Sequence, residues 1–156
     1  MTTLIQRETG YLFDSLLELA SGGLVATTTE HTAIDLGAEG AGDNEDGVAV
    51  FRGDAVIDIS AIEIASNDEL YEFVIEGGDS LAFTTGDEDE LARIHVGALE
   101  VLSTDTTVDS DVGRYILPFT NLRNTRAYRF IRLNVQISGT IATGINYTCF
   151  IGKPKV

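Results

Sequence analysis

From Arg129 to Ile137 the chain alternates with a period of two: Ile131, Leu133, Val135 and Ile137 fall on one side, Arg132, Asn134 and Gln136 on the other. This is the pattern of a half-buried strand. Just upstream, Pro118 and the polar stretch 121–125 interrupt the apolar run, so Tyr115 to Phe119 reads as a separate short strand joined by a turn. Arg123, Arg126, Arg129 and Arg132 then recur every three residues. One segment therefore closes a core and displays cations.

The remaining apolar runs extend the same theme. AVIDISAIEI (55–64) alternates Ile57, Ile59 and Ala61 against Asp58 and Ser60, LYEFVIEGG (70–78) ends in a Gly-Gly turn, and ARIHVGALEVL (92–102) alternates with small interruptions. The last run, TIATGINYTCFIG (140–152), places Ile141, Ile145, Tyr147, Cys149 and Ile151 on one side, and is expected to pair back on the preceding strand through a turn at Ser138 to Thr140. LVATTTEHTAIDLG is threonine-rich and β-favouring through Leu36. LFDSLLELA (12–20) fits two readings: Phe13, Leu16, Leu17 and Ala20 form a helical stripe, while Phe13, Ser15, Leu17 and Leu19 form a strand face. With 16 glycines, two prolines and 156 residues, the chain can bury one core without disulfides or metals. Strands of this number and spacing, without intervening helices, are what a sandwich or barrel needs.

Charge is unevenly placed. Residues 1–111 hold all 25 acids and three bases (Arg7, Arg52, Arg93), a balance of −22, whereas residues 112–156 hold seven bases and no acid, completing the net −15. A chain this acidic repels nucleic acid and anionic membranes, so neither is an expected partner. The arginines have two readings: they neutralise acids on neighbouring strands, or they face an acidic patch on another protein. GAEGAGDNEDG (37–47) is a mobile surface loop by composition, and its acids do not match a calcium loop. DEDE (87–90) reads as a second acidic loop.

Chemistry-bearing motifs are scarce. His31 and His95 lie 64 positions apart in strand-like contexts, with no zinc spacing, nucleophile elbow, P-loop or dinucleotide fingerprint, so no catalytic residue, cofactor or metal ligand is assigned. Cys149 stands alone and reads as a small buried residue. Tryptophan is absent, which leaves Tyr71, Tyr115, Tyr128 and Tyr147 as the candidates for stacking on a sugar. There is no run of roughly 20 apolar residues and no signal-peptide pattern, so a soluble protein folding in a reducing cytoplasm is expected.

In order along the chain, ATTTEHTAIDLG, NDELYEFVIEGGDSLAF and RYILPFTNLRNTRAYRFIRLNVQISGT resemble the capsid cement (decoration) proteins of tailed bacteriophages. The likeness rests on an I-D-L-G element after a Thr-rich strand, and on a Y-I-L-P element before the aromatic-Arg-aliphatic strand YRFIRLNV. It implies an all-β protein, an antiparallel jelly-roll β-sandwich spanning 12–156 with an extended N-terminal arm at 1–11. It also implies a place on the exterior of the virion after synthesis in the bacterial host cytoplasm. The expected partners are the major capsid protein and further copies of the chain, a dimer being favoured over a trimer. Candidate capsid contacts are Leu4, Ile5 and Arg7 on the arm together with Arg123 and Arg126, while the acidic loops face solvent. The 37–54 connection and the Gly152-Lys153-Pro154 tail depart from the family pattern. A carbohydrate-binding jelly roll of a tail or fibre assembly is the competing reading. A small hydrolase is the third, and it requires His31 or His95 to converge with carboxylates in one pocket.

Overall fold

The computed structural model describes residues 15–37, 48, 50–84, 86, 88–102 and 108–152. The chain runs through a 3-10 turn, Ser15–Leu17, into β1 (Glu18–Ala20), β2 (Leu24–Val25), β3 (Thr29–Glu30), β4 (Ile34–Asp35), β5 (Arg52–Ile62) and β6 (Leu70–Gly78). It continues through β7 (Asp89–Gly97), β8 (Gly113–Thr120), β9 (Leu122–Arg123), β10 (Arg126–Ala127), β11 (Phe130–Ser138) and β12 (Ile145–Gly152). One antiparallel sheet has the order β1-β12-β5-β8, with β2 also on β12; the other has the order β3-β11-β6-β7, with β4 also on β11. Counting β1 with β2 and β3 with β4 as broken strands leaves two four-stranded sheets between which the chain repeatedly crosses. That is the order of a jelly-roll sandwich.

Alternation decides which side chains fill the space between the sheets. Ile131, Leu133 and Val135 from β11 meet Ile145, Tyr147, Cys149 and Ile151 from β12, with Tyr71, Phe73 and Ile75 of β6 and Ala55, Ile57 and Ile59 of β5 completing one cluster. Each fully buried aliphatic side chain contributes about 1.5–3 kcal/mol. Cys149 is wholly buried in this core, and burial pushes its thiol pKa upward.

Five local expectations are corrected. β12 does not pair with β11 but with β5, β1 and β2 in the opposite sheet. A short hairpin turn at Ser138 to Thr140 would keep both strands in one layer, whereas residues 139–144 must cross roughly 10 Å between layers. Two carboxylates hold this crossing. Glu63 accepts hydrogen bonds from the backbone N–H groups of Ala142 (3.0 Å), Thr143 (2.5 Å) and Gly144 (2.7 Å), which keep its pKa below the usual range. Asp68 accepts from the N–H of Thr140 at 2.9 Å and from its hydroxyl at 2.8 Å.

The Gly-Gly pair is the end of β6 rather than a turn. A Cβ on Gly77 would lie 2.7 Å from the ring of Tyr128, and one on Gly78 would lie 3.1 Å from the ring of Phe83. The missing side chains let two aromatic rings lie against the strand. Ala61 is exposed rather than inward, because a bulge pairs Asn146 with Ala61 but Tyr147 with Ile59, and the extra residue reverses the facing of the strand.

Asp89 and Glu90 belong to β7, which ends at Gly97, not at residue 102. Their charges are countered by Arg93 and Arg123. Around residues 12–20 the described part is a helical turn followed by a strand, with Leu19 and Ala20 buried and Leu16 exposed. The arm at 1–11, the loop at 38–47 and the tail from Lys153 lie outside the described residues. No helix among the described residues is long and apolar enough to cross a membrane.

Candidate docking site

Six of the arginines are committed to carboxylates of the same chain. Arg93 bridges Glu72 and Glu90, each at 2.6 Å, and Arg114 grips Asp58 through two bonds of 2.7 and 2.6 Å. Arg129 donates at 2.7 Å to both oxygens of Asp35 and, with the Gly37 N–H, holds that carboxyl down at about 2. Arg132 lies between Glu76 and Glu30. Arg123 is 3.5 Å from Asp89, and Arg126 pairs with Asp79. The neutralising reading of these cations is therefore what the fold realises, and the three-residue spacing separates in space: Arg129 reaches β4, Arg132 lies on the outer face of β11, and Arg123 and Arg126 project together.

That projection is the hairpin β9–β10, in which Arg123 and Arg126 are directly paired positions. Between them Asn124 and Thr125 both take positive φ, 50° and 73°, the conformation of a type I′ turn that asparagine tolerates and a β-branched threonine resists. The hairpin is fastened at its base. Asn121, wholly buried, donates through Nδ2 to the carbonyl of Tyr128 at 2.9 Å and accepts at Oδ1 from the N–H of Phe51 at 2.7 Å. Tyr128 donates its hydroxyl to Asp89, and burial followed by that carboxylate raises the phenol pKa. Arg126 lies 5.3 Å from the Tyr128 ring centroid, and Arg123 donates to the Glu90 carbonyl at 2.5 Å.

The guanidinium side chains of Arg123 and Arg126 remain 44% and 53% exposed. An exposed pair contributes only about 0–1 kcal/mol, and each guanidinium carries five donors, so an incoming carboxylate can be bound at little internal cost. Sequence reading located both arginines but missed Asn121, which it took for part of a polar turn. The available signal was an amide at the junction of an apolar strand and a turn. Leu4, Ile5 and Arg7 fall outside the described residues.

The histidines do not form an equivalent site. His95, exposed on β7, lies beside Glu72 at 2.9 Å. His31 shares an open cleft of about 220 Å³ with Glu18, Ser21 and Thr32. Among the described residues no hydrogen bond joins it to any of these three. Its Nε2 lies 2.7 Å from the hydroxyl of buried Tyr147, whose ring packs edge-on against Phe73. Burial holds the phenol protonated, and the phenol has no other acceptor among the described residues, so it donates and the imidazole accepts in its neutral form. The same burial lowers the His31 pKa from the ordinary 6.5.

Below about pH 6.5 the unfolded chain binds a proton that the folded chain refuses, so stability falls with pH until the folded pKa is passed. The expected slope is at most about 1.4 kcal/mol per pH unit, absent in His31→Gln, and denaturant midpoints at pH 7.5 and 5.5 measure it.

Of the four tyrosines that could stack on a sugar, Tyr71, Tyr128 and Tyr147 are buried and only Tyr115 is partly exposed. Burial, with the charges of Glu63 and Glu69 adding to it, raises the Tyr71 pKa to about 12. Among the described residues no group of three or more histidine, cysteine or carboxylate side chains is arranged to hold a metal ion. No family model matches the chain, and no curated protein matches it either.

Proposed function

We propose that the protein is a structural virion component that binds the outer surface of a tailed-phage capsid, bridges neighbouring major capsid subunits and stabilises the shell. Support comes from the ordered motifs of the chain and from the jelly-roll order of its sheets. The observation that carries the reading is the β9–β10 tip. In a molecule of net charge −15, two half-exposed arginines stand side by side on a rigidly clasped hairpin. Such a tip steers and registers docking against carboxylates of another protein, while the acidic remainder of the surface disfavours other orientations. A shell repeats each junction many times, so a modest contact per copy becomes strong once copies are linked.

Capsids assembled without the protein provide the test. Purified protein is expected to bind them at a fixed number of copies per particle, less tightly as salt rises, and to delay their disruption on heating. Charge reversal by Arg123→Glu with Arg126→Glu is expected to weaken binding at least about tenfold. Absence of binding by the natural chain overturns the proposal, whereas binding unaffected by the double reversal moves the contact away from the tip. Affinity for glycans in place of capsids favours the carbohydrate-binding reading.

A further inference from the structure

The open cleft beside His31 lies where the margins of the two sheets meet. β1 and Ser21 form one wall at the edge of the first sheet, and His31 with Thr32, between β3 and β4, forms the other at the edge of the second. Both walls are fastened from behind. Just past Ser21, the Gly23 N–H donates to Asn146 Oδ1 at 3.1 Å, and the His31 N–H donates to the Leu133 carbonyl at 2.9 Å. Arg132 holds Glu30 and Arg129 holds Asp35 on either side of the second wall. A ligand therefore meets a shape already in place.

Tyr147 decides what His31 offers to that ligand. Because the buried phenol donates to Nε2 at 2.7 Å, the neutral ring carries its hydrogen on Nδ1. The two rings pack edge to face with centroids 5.6 Å apart, which fixes the pose. Among the described residues this Nδ1–H has no hydrogen-bond partner, and neither have the Glu18 carboxylate or the hydroxyls of Ser21 and Thr32. Elsewhere the carboxylates of Asp35, Asp58, Glu63, Asp68 and Glu76 are all met by donors of the same chain.

These unengaged groups, gathered around about 220 Å³, select a ligand by its chemistry. A fixed N–H needs an acceptor, a carboxylate needs donors, and the hydroxyls take either. An anion meets Glu18 and a net charge of −15, whereas a metal ion meets a ring hydrogen where it needs a lone pair. A vicinal diol satisfies both sides: one hydroxyl oxygen accepts from Nδ1–H, and its hydrogen and that of its neighbour go to the two Glu18 oxygens. The volume is below the roughly 300–1,000 Å³ of pockets for drug-sized ligands, which limits the occupant to about one ring.

We propose that this cleft binds a single saccharide ring through a vicinal diol held between His31 Nδ1–H and Glu18, with Tyr147 as the positioning residue that sets the imidazole tautomer. The site goes beyond the capsid reading and does not rest on it. No phenyl or phenol ring is among the lining residues, so the affinity is weak, with a Kd on the order of 1–10 mM.

Amide spectra of the full-length protein, recorded as methyl glycosides of glucose, galactose and mannose are added in turn, test the proposal. Saturable shifts at residues 19–21, 31 and 32 are expected with at least one glycoside and not with cyclohexanol, which has a single hydroxyl. Glu18→Ala is expected to weaken binding at least about tenfold, and His95→Gln to leave it unchanged. Nitrogen spectra of the His31 ring are expected to show Nδ1 protonated and Nε2 bare in the natural chain, and a mixture of tautomers with weaker binding in Tyr147→Phe. No saturable shift with any glycoside overturns the proposal, as does equal binding of cyclohexanol, binding unaffected by Glu18→Ala, or a natural ring protonated on Nε2. Tighter binding of phosphate, alanine or zinc in the cleft also overturns it. Saccharide binding by a chain that does not bind capsids leaves this inference standing and removes the capsid reading, and capsid binding without saccharide binding does the reverse.

Discussion

Arg132→Ala is expected to destabilise the fold by about 3–5 kcal/mol, measured as the change in unfolding free energy in denaturant. Arg132 and Glu76 are each only 8% exposed on the outer face of the β11–β6 pair. Arg132 Nε donates to Glu76 Oε2 at 2.7 Å, and its guanidinium reaches Glu30 at 3.0 Å. Above them Phe83 folds back from the β6–β7 connection, its ring centroid 4.5 Å from the guanidinium carbon, and shields the pair from water. Asn134 donates from Nδ2 to the other Glu76 oxygen at 3.0 Å, while its Oδ1 is the one buried side-chain atom without a hydrogen-bond partner among the described residues.

Truncating Arg132 leaves Glu76 buried with a single amide donor, and the desolvation cost of that carboxylate dominates the loss. The double variant Arg132→Met, Glu76→Leu is expected to recover most of it, because an apolar pair under Phe83 needs no compensation. A single-variant loss below about 1 kcal/mol shows instead that water screens the pair as it screens an exposed one.

The second large effect concerns the crossing between the two sheets. Gly144 has a φ of 91°, and a Cβ there would lie 2.0 Å from the carbonyl oxygen of Val25. Gly144→Ala combines a conformation costing an L-residue about 1–2 kcal/mol with a backbone clash that only a shift of β2 or of the turn relieves. A loss of at least about 3 kcal/mol is expected. Gly23, at a φ of 118° with nothing within 4 Å of its Cβ position, separates the two contributions. Its alanine variant carries the backbone cost alone and is expected to lose about 1–2 kcal/mol. Equal losses at the two glycines indicate that the turn relaxes away from Val25.

Much of the layer structure was legible along the chain. Alternation in 131–137 and 145–151 named core residues, because a strand's period of two assigns each side chain to a face without reference to any partner. The same reasoning gave the burial of Cys149. It failed at Ala61, where a bulge set by β12 inverts the facing of β5, and at Gly77, whose role depends on a ring contributed from residue 128. The arginines show the same division. Their positions and their bias to the last third of the chain are sequence facts, but Arg129 finds Asp35 from 94 residues away and Arg132 finds Glu30 from 102.

Local pattern states which face a residue occupies and leaves open which strand lies beside it, since any alternating strand can hydrogen-bond to any other. The choice of β5 rather than β11 as the neighbour of β12 comes from the crossing turn held by Glu63 and Asp68, and from two apolar faces that must look at each other across the core. Folding also turned Arg123 and Arg126 from members of a series into an adjacent pair on a clasped tip. Such features arise only when strands distant in sequence are brought side by side, because ion pairs and edges are properties of neighbours in space.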